Sequence, residues 1–276
     1  MHTHRVFLTL PLALAAFVGC AERHGSETPA PAKATERSHA AEATVAPAAA
    51  ETKAEPDKKA AKSSGGHHAA AGPSPLEAIA RLSAGNARFA SGRRSRSADT
   101  TDDDDERTLT AKGQHPFAAV LTCADSRLPP ELIFDQSIGD IFVVRNAGNV
   151  AEPVGDGSME YGVEHLGIRL IVILGHSSCG AVKAVTGTTE TLPGNLVAIQ
   201  KNMPGLQAYA AEQAKAGKDP VAAGVRRNAT DQASAMLAES EALRAAVAKG
   251  TLAVVPAIYD IETGLVEFLA PVGGEH

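Results

Sequence analysis

Two short stretches of this 276-residue sequence carry side chains whose types and spacing suit one piece of chemistry. Cys123, Asp125 and Arg127 stand in Cys-Ala-Asp-Ser-Arg, and His176 and Cys179 stand in His-Ser-Ser-Cys-Gly. Thiolate, imidazole and carboxylate are the groups that hold zinc in tetrahedral sites, and two cysteines with one histidine leave a fourth position for water or for Asp125. His176 and Cys179 are three apart, a spacing that puts both on one side of a turn entering a helix, while Cys123 and Asp125 are two apart at a strand end. Both pairs can therefore face one ion. A purely structural zinc, closed by Asp125 as fourth ligand, is also consistent with this donor count.

The elements that must position these groups are legible around them. Residues 117–122 form an apolar, β-prone run that ends at Cys123, and residues 168–174 form another that Gly175 stops just before His176. Both motifs thus leave the carboxyl end of a buried strand. Helix-like stretches at 158–166 and 228–247 accompany them, so the pattern predicts an α/β fold with a mostly parallel central sheet and covering helices. Ligands of such sheets gather at the carboxyl ends of the strands. Residues 252–259 and 265–269 read as two strands around a turn, and Pro256 predicts an edge or bulge rather than an interior ladder position.

Composition is uneven along the chain. Residues 1–20 read as a secretory signal, with Arg5, an apolar stretch over 6–18, then Gly19 and Cys20. The stretch is short for a membrane span. Phe17-Val18-Gly19-Cys20 resembles the lipobox at which bacterial lipoproteins are cut and lipidated, although Phe17 departs from the usual leucine. The expectation is a lipid anchor on Cys20 at the periplasmic side of a bacterial envelope, with simple export to the periplasm as the alternative. Residues 21–72 hold almost no large apolar side chain and read as a disordered tether. Residues 73–276 are then one catalytic domain, long enough for a sizeable core. With Cys20 lipidated, the other two of the three cysteines are Cys123 and Cys179, and both look like ligands rather than a disulfide. A net charge of −6, with Arg93, Arg94 and Arg96 close to an acidic run at 102–105, argues against nucleic acid as a partner. That acidic run lacks the glycine and ligand spacing of a calcium loop and reads as a solvated turn. His165 reads as a helix-surface histidine.

Cys-Ala-Asp-Ser-Arg followed some fifty residues later by His-Ser-Ser-Cys-Gly resembles the signature of the β-class carbonic anhydrases. The resemblance extends to Gly85-Asn86-Ala87-Arg88-Phe89, Gly113-Gln114-His115-Pro116, Phe142-Val143-Val144-Arg145-Asn146-Ala147-Gly148-Asn149 and Ala257-Ile258-Tyr259-Asp260. It implies the β-carbonic anhydrase fold, with a parallel sheet core and an antiparallel last strand. It also implies one Zn2+ per subunit on Cys123, His176 and Cys179, and Asp125 with Arg127 as a catalytic pair, Asp125 binding zinc in some resting states. Zinc-bound hydroxide then hydrates carbon dioxide to bicarbonate and a proton, and ligation by two thiolates predicts activity that rises toward alkaline pH. Gln114, Phe142 and Tyr161 fall in the substrate pocket, with the Gly180 amide near the bound oxygen, and a homodimer or larger homo-oligomer is implied. Ala147, smaller than the usual valine, and Leu128, larger than the usual valine, alter the expected pocket. Two alternatives share these residues: hydrolysis of carbonyl sulfide or carbon disulfide on the same fold, and a non-catalytic zinc-binding envelope protein.

Overall fold

The continuous apolar runs become strands covered on both faces. In a computed structural model, which describes residues 72–95 and 107–274, five strands form: β1 (Ala118–Cys123), β2 (Ile141–Asn146), β3 (Leu170–His176), β4 (Ala253–Tyr259) and β5 (Val266–Phe268). The signal at 1–20, the tether up to residue 71 and the acidic run at 102–105 lie outside the described residues. The strands make one sheet in the order β2-β1-β3-β4-β5. All pairings are parallel except the antiparallel β4–β5 pair. Every residue of β1 and β3 is buried, as expected for central strands of a parallel sheet.

Alternation along these strands divides the core in two. Val120, Leu170, Val172 and Leu174 join one cluster, and Ala119, Leu121, Ile171 and Ile173 join the other. Successive side chains of a strand point to opposite faces, so the two clusters lie on opposite sides of the sheet. Helices cover both: α1 (Pro75–Ala90), α2 (Pro130–Ile133), α3 (Pro153–Leu166), α4 (Gly180–Thr186), α5 (Leu196–Lys201), α6 (Leu206–Lys215), α7 (Pro220–Glu239) and α8 (Glu241–Ala248). Of these, α7 packs on β3, β4 and α4, which brings it behind the carboxyl ends of the strands.

Three expectations are corrected. The helix expected at 158–166 begins at Pro153, where a missing N–H costs nothing in the first turn. The single helix expected at 228–247 starts earlier and is broken. Asp219 caps α7 by accepting the N–H groups of Val221 and Ala222, and Ser240 then leaves helical geometry at ψ 110°. The Ser240 hydroxyl accepts the Leu243 N–H to start α8 and donates to Glu160 at 2.5 Å. Pro256 lies inside β4, with β3 and β5 on either side. It is tolerated because its carbonyl, accepting Leu269 N–H, points to the β5 side, where the ladder covers only Ala257–Tyr259 before a lone bridge at Val254. The absent N–H faces that same interrupted side, so the proline sits at a local edge.

Candidate metal centre

Cys123 is the last residue of β1 and His176 the last of β3, and because these strands are parallel neighbours their carboxyl ends lie side by side. After His176 the chain turns through Ser178, which takes the left-handed value φ 57°, and reaches Cys179 at the N-cap of α4. Ser177 ties this turn to the end of β4, its N–H donating to the Tyr259 carbonyl and its hydroxyl accepting the Ile261 N–H. The result is that the Cys123 and Cys179 sulfurs and a ring nitrogen of His176 lie within 4.8 Å of one another, all three residues buried. Among the described residues this is the one such cluster of three or more metal-ligating side chains.

The chemistry of the three atoms fits a soft divalent cation. His176 Nδ1 lies 3.0 Å from the Ser177 carbonyl, which can only accept, so Nδ1 carries the hydrogen and Nε2 presents its lone pair. Nε2 is buried without a hydrogen-bond partner, which is costly unless something else takes that lone pair. Neither cysteine is in a disulfide. The hydrogen bond to Cys179 draws the Cys123 thiol well below its ordinary value, and the same bond, with burial, pushes Cys179 up. Such a buried sulfur pair facing a bare imidazole nitrogen is the donor set of a zinc site.

Asp125 does not join the three donors. Its Oδ1 accepts the Arg127 Nε at 2.9 Å and backbone N–H at 3.0 Å, and its Oδ2 accepts Arg127 Nη2 at 2.7 Å. These bonds hold the Asp125 carboxyl far below the usual carboxylate range, so it is an acceptor at any working pH. With both oxygens engaged by the guanidinium, Asp125 is held apart from the three-donor cluster. The backbone beneath is clamped by Arg145 of β2, which donates to the carbonyls of Cys123 at 3.1 Å and Asp125 at 2.6 Å. Sequence reading gave Arg145 no role, and the signal for one was a charged residue directly after the four apolar residues that open its strand.

The carbonic anhydrase family model matches residues 118–266. Carbonic anhydrase 2 of Mycobacterium tuberculosis (strain CDC 1551 / Oshkosh) is 37% identical over 194 residues, which cover 69% of this chain and 90% of that protein. The carbonic anhydrase of Mycolicibacterium smegmatis is 34% identical over 203 residues, covering 72% and 95%. Among solved structures, the Coccomyxa β-carbonic anhydrase in complex with acetazolamide superposes with a TM-score of 0.56 at 28% identity, covering 73% of this chain and 88% of that one. A β-carbonic anhydrase of Sordaria macrospora, described as tetrameric, gives 0.56 at 27% identity, covering 61% and 88%. The chain belongs to the β-class carbonic anhydrases.

In this β-carbonic anhydrase the remaining predicted pocket residues come from separate elements: Gln114 from ahead of β1, Phe142 from β2, Tyr161 from α3 and Gly180 from α4. Phe142 pairs with Ala119, four residues before Cys123 on β1, and so lies about 13 Å short of the carboxyl end at ~3.3 Å per residue. It is half-buried against the second core cluster. Tyr161 stands on α3, 48% exposed, its ring 5.0 Å from that of His165, itself on the helix surface as expected. Gln114 is exposed ahead of β1. Gly180, by contrast, opens α4 directly after Cys179, and a first-turn amide has no acceptor within its own helix. Leu128 is fully buried, so its larger side chain contributes to the core.

Proposed function

We propose that this β-carbonic anhydrase hydrates carbon dioxide reversibly to bicarbonate and a proton at Cys123, His176 and Cys179, with one Zn2+ per subunit. The observation that carries this is the convergence of three buried donors beside a carboxylate that Arg127 holds aside. Zinc held by these three residues would lower the pKa of water and so supply the nucleophile. Asp125 stays ionised and accepts a hydrogen bond from the reacting oxygen, while Arg127 sets the direction of that carboxylate. The Gly180 amide donates to an oxygen of bicarbonate, a bond that apolar carbon dioxide uses poorly.

Gln114, Phe142 and Tyr161 complete the substrate pocket of a neighbouring subunit in a homodimer or larger homo-oligomer. Supporting this are the distance of Phe142 from its own metal-binding end and the exposed apolar surface at Leu132, Ile138, Val154 and Tyr161. Residues 73–276 form the catalytic domain, and Cys20 carries a lipid that tethers it on the periplasmic side of a bacterial envelope. The signal-like pattern before Cys20 and the polar composition of 21–72 support that placement. Cys20→Ser should move the protein from the membrane to the soluble fraction of the host, and retention in the membrane would exclude the anchor.

Rates for carbon dioxide, carbonyl sulfide and carbon disulfide on one zinc-loaded sample test the assignment. Carbon dioxide hydration should be the fastest by orders of magnitude, and a faster sulfur-analogue reaction would overturn it.

A further inference from the structure

Helix α7 turns Val225, Ala229, Ala233 and Met236 toward the sheet, an apolar stripe at helical spacing. Asn228 and Gln232 interrupt this stripe, and each is only 2% exposed. Two carboxamides so deeply buried persist only where their hydrogen-bonding groups are satisfied. Gln232 Oε1 accepts the Ala151 N–H at 2.8 Å, and its Nε2 donates to the Asn202 carbonyl at 2.7 Å and to Asn228 Oδ1 at 3.0 Å. The last bond fixes which way the Asn228 amide points. Its Nδ2 then donates to the Gly148 carbonyl at 2.9 Å.

Gly148 is the link to the metal-binding atoms, because its N–H donates to the Cys123 sulfur at 3.3 Å. The peptide on either side has little freedom to find this geometry by another route. Gly148 is left-handed at φ 82°, and a Cβ there would come within 2.3 Å of Met203 Cε. The preceding Asn146 braces the loop by accepting the Val150 N–H and donating to the Val150 carbonyl, both at 2.8 Å. Hydrogen bonds therefore run in series from Gln232 through Asn228 and Gly148 to the sulfur, from a helix far along the chain to a strand end.

We propose that Asn228, oriented by Gln232, is a positioning residue for the metal: by holding the Gly148 carbonyl it fixes the left-handed backbone at Gly148, which directs the N–H on the other side of its Cα at the Cys123 sulfur. This rests on the reading that Cys123, His176 and Cys179 hold a metal ion. A hydrogen bond to a ligating thiolate draws charge away from the metal and fixes the sulfur's direction, and partners of this kind govern metal retention as well as reactivity. Losing the bond leaves a sulfur that donates more charge to the metal and holds it in a looser geometry.

The full-length protein, loaded with zinc or with cobalt(II) as a spectroscopic substitute, tests this with Asn228→Ala and with Met236→Ala as a control. Met236 is fully buried on the same helix in the opposite core cluster, so its truncation weakens packing without touching the series of hydrogen bonds. Asn228→Ala should release zinc to a chelator about 10 to 100-fold faster than wild type. Its sulfur-to-cobalt charge-transfer band should move to longer wavelength, whereas Met236→Ala should leave both readouts at wild-type values. If Asn228→Ala does not accumulate as folded protein, Gln232→Met, similar in size but unable to orient Asn228, takes its place with the same expected directions. Release rates and band positions equal to those of Met236→Ala would overturn the proposal. Wild-type protein that takes up neither metal would instead overturn the metal-site reading itself.

Discussion

Asp156 is a buried acid that the fold disfavours in its charged form, and replacing it with asparagine should stabilise the protein in a pH-dependent way. The residue sits in the first turn of α3, 8% exposed, with Oδ1 lacking a hydrogen-bond partner. Burial first, then the charges of Glu152, Glu160 and Glu239, push its carboxyl up to about 6 from the ordinary 3.8. Lys201 lines the same cleft, of about 490 Å³, without offsetting them. A carboxyl with a raised native pKa makes the fold most stable below the unfolded value, where it is protonated in both states. That stability is lost as pH rises from about 3.8 to about 6. The difference corresponds to roughly 3 kcal/mol at pH 8 and about half of that at pH 5, at ~1.4 kcal/mol per pH unit. Asp156→Asn removes the charge and keeps the shape. Thermal unfolding at pH 8 should therefore show a gain of ~1–3 kcal/mol, or several degrees in Tm for a domain of this size, and a clearly smaller gain at pH 5. A gain that is equal at both pH values, or no gain at pH 8, would refute the assignment of the penalty to an ionised Asp156.

Arg127→Ala should cut carbon dioxide hydration by on the order of tenfold or more while zinc content stays at the wild-type level, since it frees the Asp125 carboxylate without removing a metal donor. Unchanged rates in stopped-flow assays would exclude the pairing from the mechanism. Gly148→Ala forces a Cβ against Met203 and a side chain into a left-handed backbone. It should cost ~1–3 kcal/mol in denaturant unfolding, partly recovered by adding Met203→Ala. Hydration should rise between pH 6.5 and 8.5, because Asp125 is already ionised throughout that range and two thiolates offset more of the metal's charge than imidazoles do. A rate that falls over that range would contradict this donor set.

The Cys123, His176 and Cys179 cluster was legible because each residue lies within a few residues of the strand end that places it. Cys123 and His176 close buried apolar runs, and Cys179 follows three residues later at a helix start. What escaped sequence reading depends on residues distant in the chain. Ser240 breaks α7 from α8 while meeting Glu160, 80 positions away, and no local pattern announces that contact. Pro256 predicted an edge or bulge, and its strand is instead interior in order, with the β5 ladder beginning only at the next residue. Phe142 and Tyr161 were named from a family pattern for the pocket; strand register sets Phe142 opposite Ala119, four residues before Cys123, and Tyr161 stands exposed on its helix. Asn228 and Gln232 left a faint trace, two carboxamides in the apolar stripe of a helix, although the sulfur they serve belongs to a motif some hundred residues earlier.

Titrating metal-free protein with zinc while following carbon dioxide hydration by stopped flow tests the central claim most directly. Activity should rise in proportion to added zinc, reach its plateau at one equivalent per chain, and fail to appear in Cys179→Ser. Hydration that is independent of zinc, or a chain that binds one equivalent and hydrates nothing, would contradict it.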